Sequence, residues 1–163
     1  MSTTTTWSLT ARGRTGLTSP YSGHGVTEST YSAEWLSGTG TNQADLAGQK
    51  VQAVGAASNV DLDLRAIVDA KGDALNGAEL AGLIIEVPAT ADGNVTVSKS
   101  AANGAPILNG TTDGVILTPG GSLYLIFPVD GGPALSASAK DINLANAGAS
   151  SVDLTITTFQ RSA

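Results

Sequence analysis

Apolar and polar positions alternate in several short segments, and this period of two predicts β-strands. In residues 26–36 the alternation places Tyr31, Ala33 and Trp35 on one face. Residues 60–64 and 152–158 follow the same pattern, and the apolar segment Leu83–Val87 predicts a buried strand that ends at Pro88. Further short strand candidates lie at residues 49–54, 94–98 and 141–146.

The segment VILTPGGSLYLIFPV, residues 115–129, predicts two strands around a turn. Pro119 presets the φ of the second turn position, and Gly120 can adopt a positive φ without a Cβ clash. We therefore expect a β-hairpin here. Residues 69–82 contain Gly72 and Gly77, which would interrupt a helix, so we expect turns there with one helical turn around Ala78–Ala81.

Eight or nine short strands with almost no helix indicate an all-β domain. Within that class we expect an antiparallel β-sandwich of jelly-roll type. The predicted domain covers residues 26–163, and it is preceded by an extended N-terminal arm, residues 1–25, in which neither a helical nor a strand period persists.

The predicted arm contains large side chains among many Thr, Ser and Gly residues. A tail that only interacts with solvent rarely carries a tryptophan, although a terminal segment of this composition can also be disordered. Large apolar side chains and arginine are favoured as interface anchors. The residues predicted to bind a partner are Trp7, Leu9, Arg12 and Arg14.

The net charge of −6 and pI of about 4.4 argue against direct contact with nucleic acid or an anionic membrane, both of which favour basic surfaces. Residues 1–27 carry +2 and residues 28–163 carry −8, so a slightly basic arm precedes an acidic domain. The absence of cysteine excludes disulfides and thiolate chemistry. The start MSTTTTWSLT has no signal-peptide pattern and no apolar run approaches the ~20 residues of a membrane span, so we expect a protein made in the cytoplasm.

Candidate chemistry is sparse. His24 is the only histidine and lies in a glycine-bounded polar segment, where a catalytic triad or a histidine zinc site is not expected. Asp61 and Asp63 share one strand face, and Arg65 follows on the same face and could neutralise them. We interpret this group as a solvated polar face rather than a glycosidase pair. No catalytic, cofactor or metal site is predicted.

Tyr31 and Trp35 share a strand face and could form a sugar-stacking platform if exposed. Aromatic side chains of this size more often lie in a core or a subunit interface, and we favour that interpretation.

From about Leu62 onward, the order of segments resembles a family. "DLR…VDAKGDALNGAELAGLIIEV" precedes "VTVSKSAANGAPIL", then "GVILTPGGSLYLIFPV" and "AKDINLANAGASSVDLTITTF". This order resembles the capsid decoration (cement) proteins of tailed bacteriophages and related head-fibre or tail accessory proteins. The resemblance implies a β-sandwich on the outer surface of the capsid that binds the major capsid protein, forms a homotrimer and clamps neighbouring capsomers with its N-terminal arm. It brings no catalytic residues and no cofactor.

Two functions of different classes follow. The first is a structural virion protein that stabilises the shell. The alternative is a carbohydrate- or receptor-binding module of a head fibre or tail accessory, which requires an exposed aromatic or polar pocket. A hydrolase ranks third because His24 and the scattered acids form no constellation.

Overall fold

The computed structural model describes residues 6–18, 24–41, 43–108, 110–111, 113–127 and 131–162, with side chains from residue 36 onward. Ten strands and one short 3-10 helix, Leu64–Ala66, lie in this part of the chain. The strands are β1 (Thr6–Thr18), β2 (His24–Leu36), β3 (Leu46–Val54), β4 (Ser58–Asp63), β5 (Glu79–Glu86), β6 (Val95–Lys99), β7 (Gly114–Leu117), β8 (Ser122–Ile126), β9 (Asp141–Asn146) and β10 (Val152–Arg161). The predicted all-β class is confirmed.

Strands β3 to β10 form two four-stranded antiparallel sheets. Sheet I has the order β3-β10-β5-β8, and sheet II has the order β4-β9-β6-β7. The chain moves from one sheet to the other at every step except β6 to β7, which are neighbours in sheet II.

One apolar core lies between the two sheets. It takes Leu83, Ile85 and Leu154 from sheet I, and Leu62 and Leu144 from sheet II, all of them buried. The period of two explains this selection, because successive residues of a strand point to opposite faces. In β10 the buried and partly exposed positions alternate from Val152 to Thr157, as the sequence predicted.

The N-terminal region differs from the prediction. Strand β1 lies inside residues 1–25, where no strand was expected, and β2 begins at His24 rather than Val26. The two strands pair antiparallel from Thr6↔Leu36 to Thr18↔His24 and form a two-stranded sheet of their own. Threonine favours strands because its branched side chain fits a pleated surface, and this preference outweighs the lack of a clear apolar period.

The turn predicted at residues 118–121 is present, but it does not close a hairpin. Gly121 N donates to Thr118 O at 2.8 Å, and Gly120 has a φ of 77°. Strand β7 nevertheless pairs with β6 in sheet II, while β8 pairs with β5 in sheet I. A turn with positive φ only at its third position splays the flanking strands, whereas primed turns match the twist of a hairpin. The predicted hairpin is therefore wrong, and the turn instead connects the two sheets.

The predicted helical turn around Ala78–Ala81 is also wrong, because β5 already begins at Glu79. The 3-10 helix lies earlier, directly after β4, where Asp63 Oδ1 accepts hydrogen bonds from Arg65 N and Ala66 N at 2.9 and 3.2 Å. A side-chain acceptor at this position satisfies N–H groups that the helix leaves free.

Candidate functional site

The β1–β2 hairpin carries all four residues predicted to bind a partner, and its register divides them between two faces. Trp7 lies opposite Trp35 and Leu9 opposite Ala33, whereas Arg12 lies opposite Thr30 and Arg14 opposite Glu28. Since successive strand residues alternate between faces, Trp7 and Leu9 share one face and Arg12 and Arg14 the other. Their side chains lie outside the described part of the structure, and partner binding stays a prediction.

The other aromatic residues of this region follow the same division. Tyr31 lies opposite Ala11 and thus shares a face with the Trp7–Trp35 pair. The face that the sequence assigned to Tyr31, Ala33 and Trp35 on β2 therefore coincides with the face of Trp7 and Leu9 on β1. Sugar binding by Tyr31 and Trp35 stays a prediction. His24 is the first residue of β2 and lies opposite Thr18.

The hairpin joins the sandwich at one end of sheet I. Ala44 N donates to Leu36 O at 2.8 Å, directly after β2 ends. Ala44 is fully buried in a small apolar cluster with Ala81 and Phe159, on the side of sheet I that faces away from the main core. The base of the hairpin is therefore fixed to the outer face of sheet I.

A buried ion pair holds the same end of the sheet. Arg161 lies opposite Glu79 in the β10–β5 register, its side chain is 1% exposed, and its Nη1 lies 2.6 Å from Glu79 Oε1. The guanidinium also donates to Phe127 O and Gln43 O, both at 2.8 Å. Glu79 Oε1 accepts a further hydrogen bond from Gly132 N at 2.5 Å. Sequence reasoning missed Arg161, because its ion-pair partner lies 82 residues away.

The rest of the outer face of sheet I is open and weakly charged. Val51 and Tyr124 are 63% and 40% exposed, and threonines occupy the neighbouring positions of β10. A pocket of about 370 Å³ lies beside them and is lined partly by Val68 and Phe159. The strand register assigns the following residues to this face: Ala47, Gln49, Val51, Ala53, Gly82, Ile84, Glu86, Ser122, Tyr124, Ile126, Asp153, Thr155, Thr157 and Phe159.

The acidic group on β4 is arranged differently from the prediction. Asp61 and Asp63 share a face, as expected, but Arg65 does not neutralise them: its Nη2 donates to Asn76 O at 3.3 Å. Asp63 instead forms an ion pair with Lys140, which also lies 3.3 Å from Asp141. The hydrogen bond to Asp63 raises the pKa of Lys140 above its usual value. Asp63 is therefore occupied by structural contacts.

The loop after the 3-10 helix also uses its carboxylate internally. Asp69 Oδ1 accepts hydrogen bonds from Lys71 N at 2.8 Å and Asp73 N at 3.0 Å. These backbone hydrogen bonds lower the pKa of Asp69 below its usual value of 3.8, because they favour the ionised form. Within the described ranges, no three His, Cys, Asp or Glu side chains are grouped so that they could hold a metal ion. No helix among the described residues is long and apolar enough to cross a membrane.

The chain was compared with family models, curated proteins and solved structures. Neither a family model nor a curated protein matches the chain. Among solved structures, the chain is similar to the crystal structure of PirA, with 16% identity, a TM-score of 0.39, and coverage of 68% of this chain and 92% of PirA. A likeness at this level carries no argument about fold or function. The class of the protein therefore rests on its own geometry, an antiparallel β-sandwich with an additional two-stranded sheet.

Proposed function

We propose that this protein is a structural virion protein that binds the outer surface of a phage capsid and stabilises the shell. The observation that carries the proposal is the β1–β2 hairpin, a sheet of only two strands whose register groups Trp7, Leu9, Tyr31 and Trp35 on one face. An isolated two-stranded sheet is at best marginally stable in water. Such a ribbon gains stability when a partner covers its apolar face, and the partner proposed here is the major capsid protein.

The dimensions of the hairpin suit a clamp. Thirteen residues per strand at about 3.3 Å each give a ribbon of roughly 40 Å. A ribbon of this length can extend beyond its own sandwich onto a neighbouring capsomer. Arg12 and Arg14, on the opposite face from Trp7 and Leu9, would contact acidic groups of the shell.

We further propose that the sandwich is a jelly roll. Numbered along the chain, the eight strands of the sandwich occur in the orders first-eighth-third-sixth and second-seventh-fourth-fifth in the two sheets. An eight-stranded arrangement of two Greek keys is typical of viral capsid and lectin domains. The strand order supports the jelly-roll fold and not a particular function, because one fold hosts many functions.

The open outer face of sheet I would provide the contact between subunits of a homotrimer. It exposes Val51 and Tyr124, and among the described residues that the register assigns to it, Glu86 and Asp153 are the charged ones. Like the interior of known interfaces, it is poor in charge. The acidic remainder of the domain suits a position on the capsid exterior, away from packaged DNA.

Sedimentation with empty shells of the major capsid protein tests the proposal. The variant Trp7→Ala/Leu9→Ala removes two large residues from the apolar face, and Ser8→Ala/Thr10→Ala is the matched control on the opposite face. We expect the first variant to lose at least tenfold in affinity for shells and the control to bind like the wild type, with unchanged thermal unfolding of the sandwich in both. Equal occupancy of shells by wild type and both variants would contradict the clamp.

A further inference from the structure

A polar groove lies on the outer face of sheet II. It has a volume of about 340 Å³, within the usual range of small-molecule sites. Its polar lining consists of Asn59, Asp61, Ser98, Lys99, Thr111 and Asn143. We refer to it as the polar groove.

The strand register explains why these side chains meet. Asp61, Asn143 and Ser98 occupy one row across the adjacent strands β4, β9 and β6. The next position in this row is Gly114 on β7, which carries no side chain. A Cβ at Gly114 would approach Thr96 Cγ2 to 2.5 Å and Ser98 Cβ to 3.5 Å. The row therefore ends at Gly114, where the side chain of Thr96 on β6 already fills the space that a Cβ would take.

The polar groups of the groove have hydrogen-bonding capacity that the protein does not use. Asn143 Nδ2 donates to Asp61 Oδ1 at 2.8 Å, which fixes the orientation of both groups. Among the described residues, no hydrogen bond uses Asp61 Oδ2, Asn143 Oδ1 or the Ser98 hydroxyl. Lys99 and Asp61 line the same groove, yet neither forms an ion pair within the described part of the chain.

The contrast with Asp63, two residues further along β4, is informative. The Asp63 carboxylate is used by two backbone N–H groups and by Lys140. Among the described residues, the Asp61 carboxylate has one hydrogen-bond partner, and it lines the groove. Asp61 is thus oriented by the protein and still free to accept from a ligand, which is the condition for a pre-organised binding group.

From these observations we propose that the polar groove binds a saccharide. Each sugar hydroxyl both donates and accepts a hydrogen bond, so neighbouring hydroxyls match a site in which acceptors and donors alternate. The Asp61 carboxylate and the Asn143 carbonyl oxygen supply acceptors, and the Lys99 ammonium supplies donors. Among the described residues the groove has one carboxylate, whereas a calcium site usually combines several carboxylates with further oxygen ligands. The site would hold its ligand without altering it, and this binding is independent of the proposed attachment to the capsid.

The test is a titration of the ¹⁵N-labelled full chain followed by two-dimensional NMR. The probes are the methyl glycosides of glucose, galactose, mannose, rhamnose and N-acetylglucosamine. With only a few hydrogen bonds and no aromatic side chain in the groove, we expect a dissociation constant on the order of a millimolar. The amide shifts should be confined to residues 59–61, 98–101 and 143. If no glycoside shifts these amides, the proposal is wrong.

Asp61→Asn keeps the shape of the side chain and the acceptor for Asn143, but removes the charge that strengthens hydrogen bonds to a hydroxyl. We expect it to weaken binding roughly tenfold, because hydrogen bonds to charged groups are the stronger ones. Asp73→Asn, an exposed position in the loop before β5, is the matched control and should bind like the wild type. Equal affinity of Asp61→Asn and the wild type overturns the proposal. Attachment to shells should be the same for both variants, which separates this inference from the capsid proposal.

Discussion

Replacing Arg161 by methionine should cause a large loss of stability, because this residue holds together three parts of the chain. Its guanidinium contacts Glu79 on β5, the Phe127 carbonyl after β8 and the Gln43 carbonyl before β3. Methionine retains much of the apolar volume but supplies no donors. Truncating one partner of a buried ion pair typically costs about 3–5 kcal/mol, since the remaining charge stays buried without its partner.

The magnitude for this site follows from the groups left behind. Glu79 is 18% exposed and keeps its hydrogen bond from Gly132 N, so it recovers some solvation. The carbonyls of Gln43 and Phe127 each lose a charged donor, at about 1–3 kcal/mol per buried group. We therefore expect a loss of about 4 kcal/mol in the free energy of unfolding, a large part of the 5–15 kcal/mol of an ordinary domain.

Urea denaturation followed by circular dichroism measures this loss. With a slope of about 2 kcal/mol per molar urea, the midpoint should fall by about 2 M at unchanged slope. Arg65→Met is the control, because Arg65 Nη2 makes one long hydrogen bond to Asn76 O, and it should cost less than about 1 kcal/mol. The double variant Glu79→Leu/Arg161→Met should recover part of the loss, since it leaves no unpaired charge. A cost for Arg161→Met no greater than that for Arg65→Met would refute this reasoning.

Two further predictions concern single positions. Gly93→Ala should lower the free energy of unfolding by about 1–3 kcal/mol, because its Cβ would overlap the backbone of Gly148. The control Gly55→Ala, whose Cβ would have its nearest neighbour 3.6 Å away, should change the thermal midpoint little. Equal midpoints for the two variants would show that the close approach of Gly93 to Gly148 is not maintained. The lowered pKa of Asp69 means that its ionised form adds stability above pH 3.8, and that this contribution is lost as the pH falls through the folded-state value. The advantage of the wild type over Asp69→Asn in thermal midpoint should therefore shrink below pH 3.8, and a difference independent of pH between 2 and 6 would count against this assignment.

Local patterns predicted the strands of the sandwich better than their connections. The alternation in residues 152–158 and the apolar segment Leu83–Val87 both correspond to strands. Their apolar positions lie in the core, except Ile84, which is on the outer face of sheet I. The Pro119-Gly120 turn was also predictable, because its φ requirements are local. The partner strands of β7 and β8 were not predictable, because strand pairing depends on how apolar faces from segments far apart in the sequence pack together.

The same limit applies to the sites. That Asp61 and Asp63 share a face follows from the period of two, but their different partners, Asn143 and Lys140, lie 82 and 77 residues away. The polar groove requires β4, β9 and β6 to be adjacent in that order, which no local pattern specifies. The partners that distinguish Asp63 from Asp61 therefore become apparent only when the strands are assembled into a sheet.

The hairpin shows how a weak local signal becomes informative once the register is known. In β1 alone, Trp7 and Leu9 are two apolar residues among threonines and serines. Their pairing with Trp35 and Ala33 places two tryptophans at directly opposite positions of the register. A slip of one residue would move every residue of one strand to the opposite face. The same register therefore determines that Trp7 lies opposite Trp35 and that Arg12 and Arg14 lie on the other face. A variant that shifts the register, such as deletion of Thr10, should therefore impair shell binding as strongly as Trp7→Ala/Leu9→Ala, although it removes no large side chain.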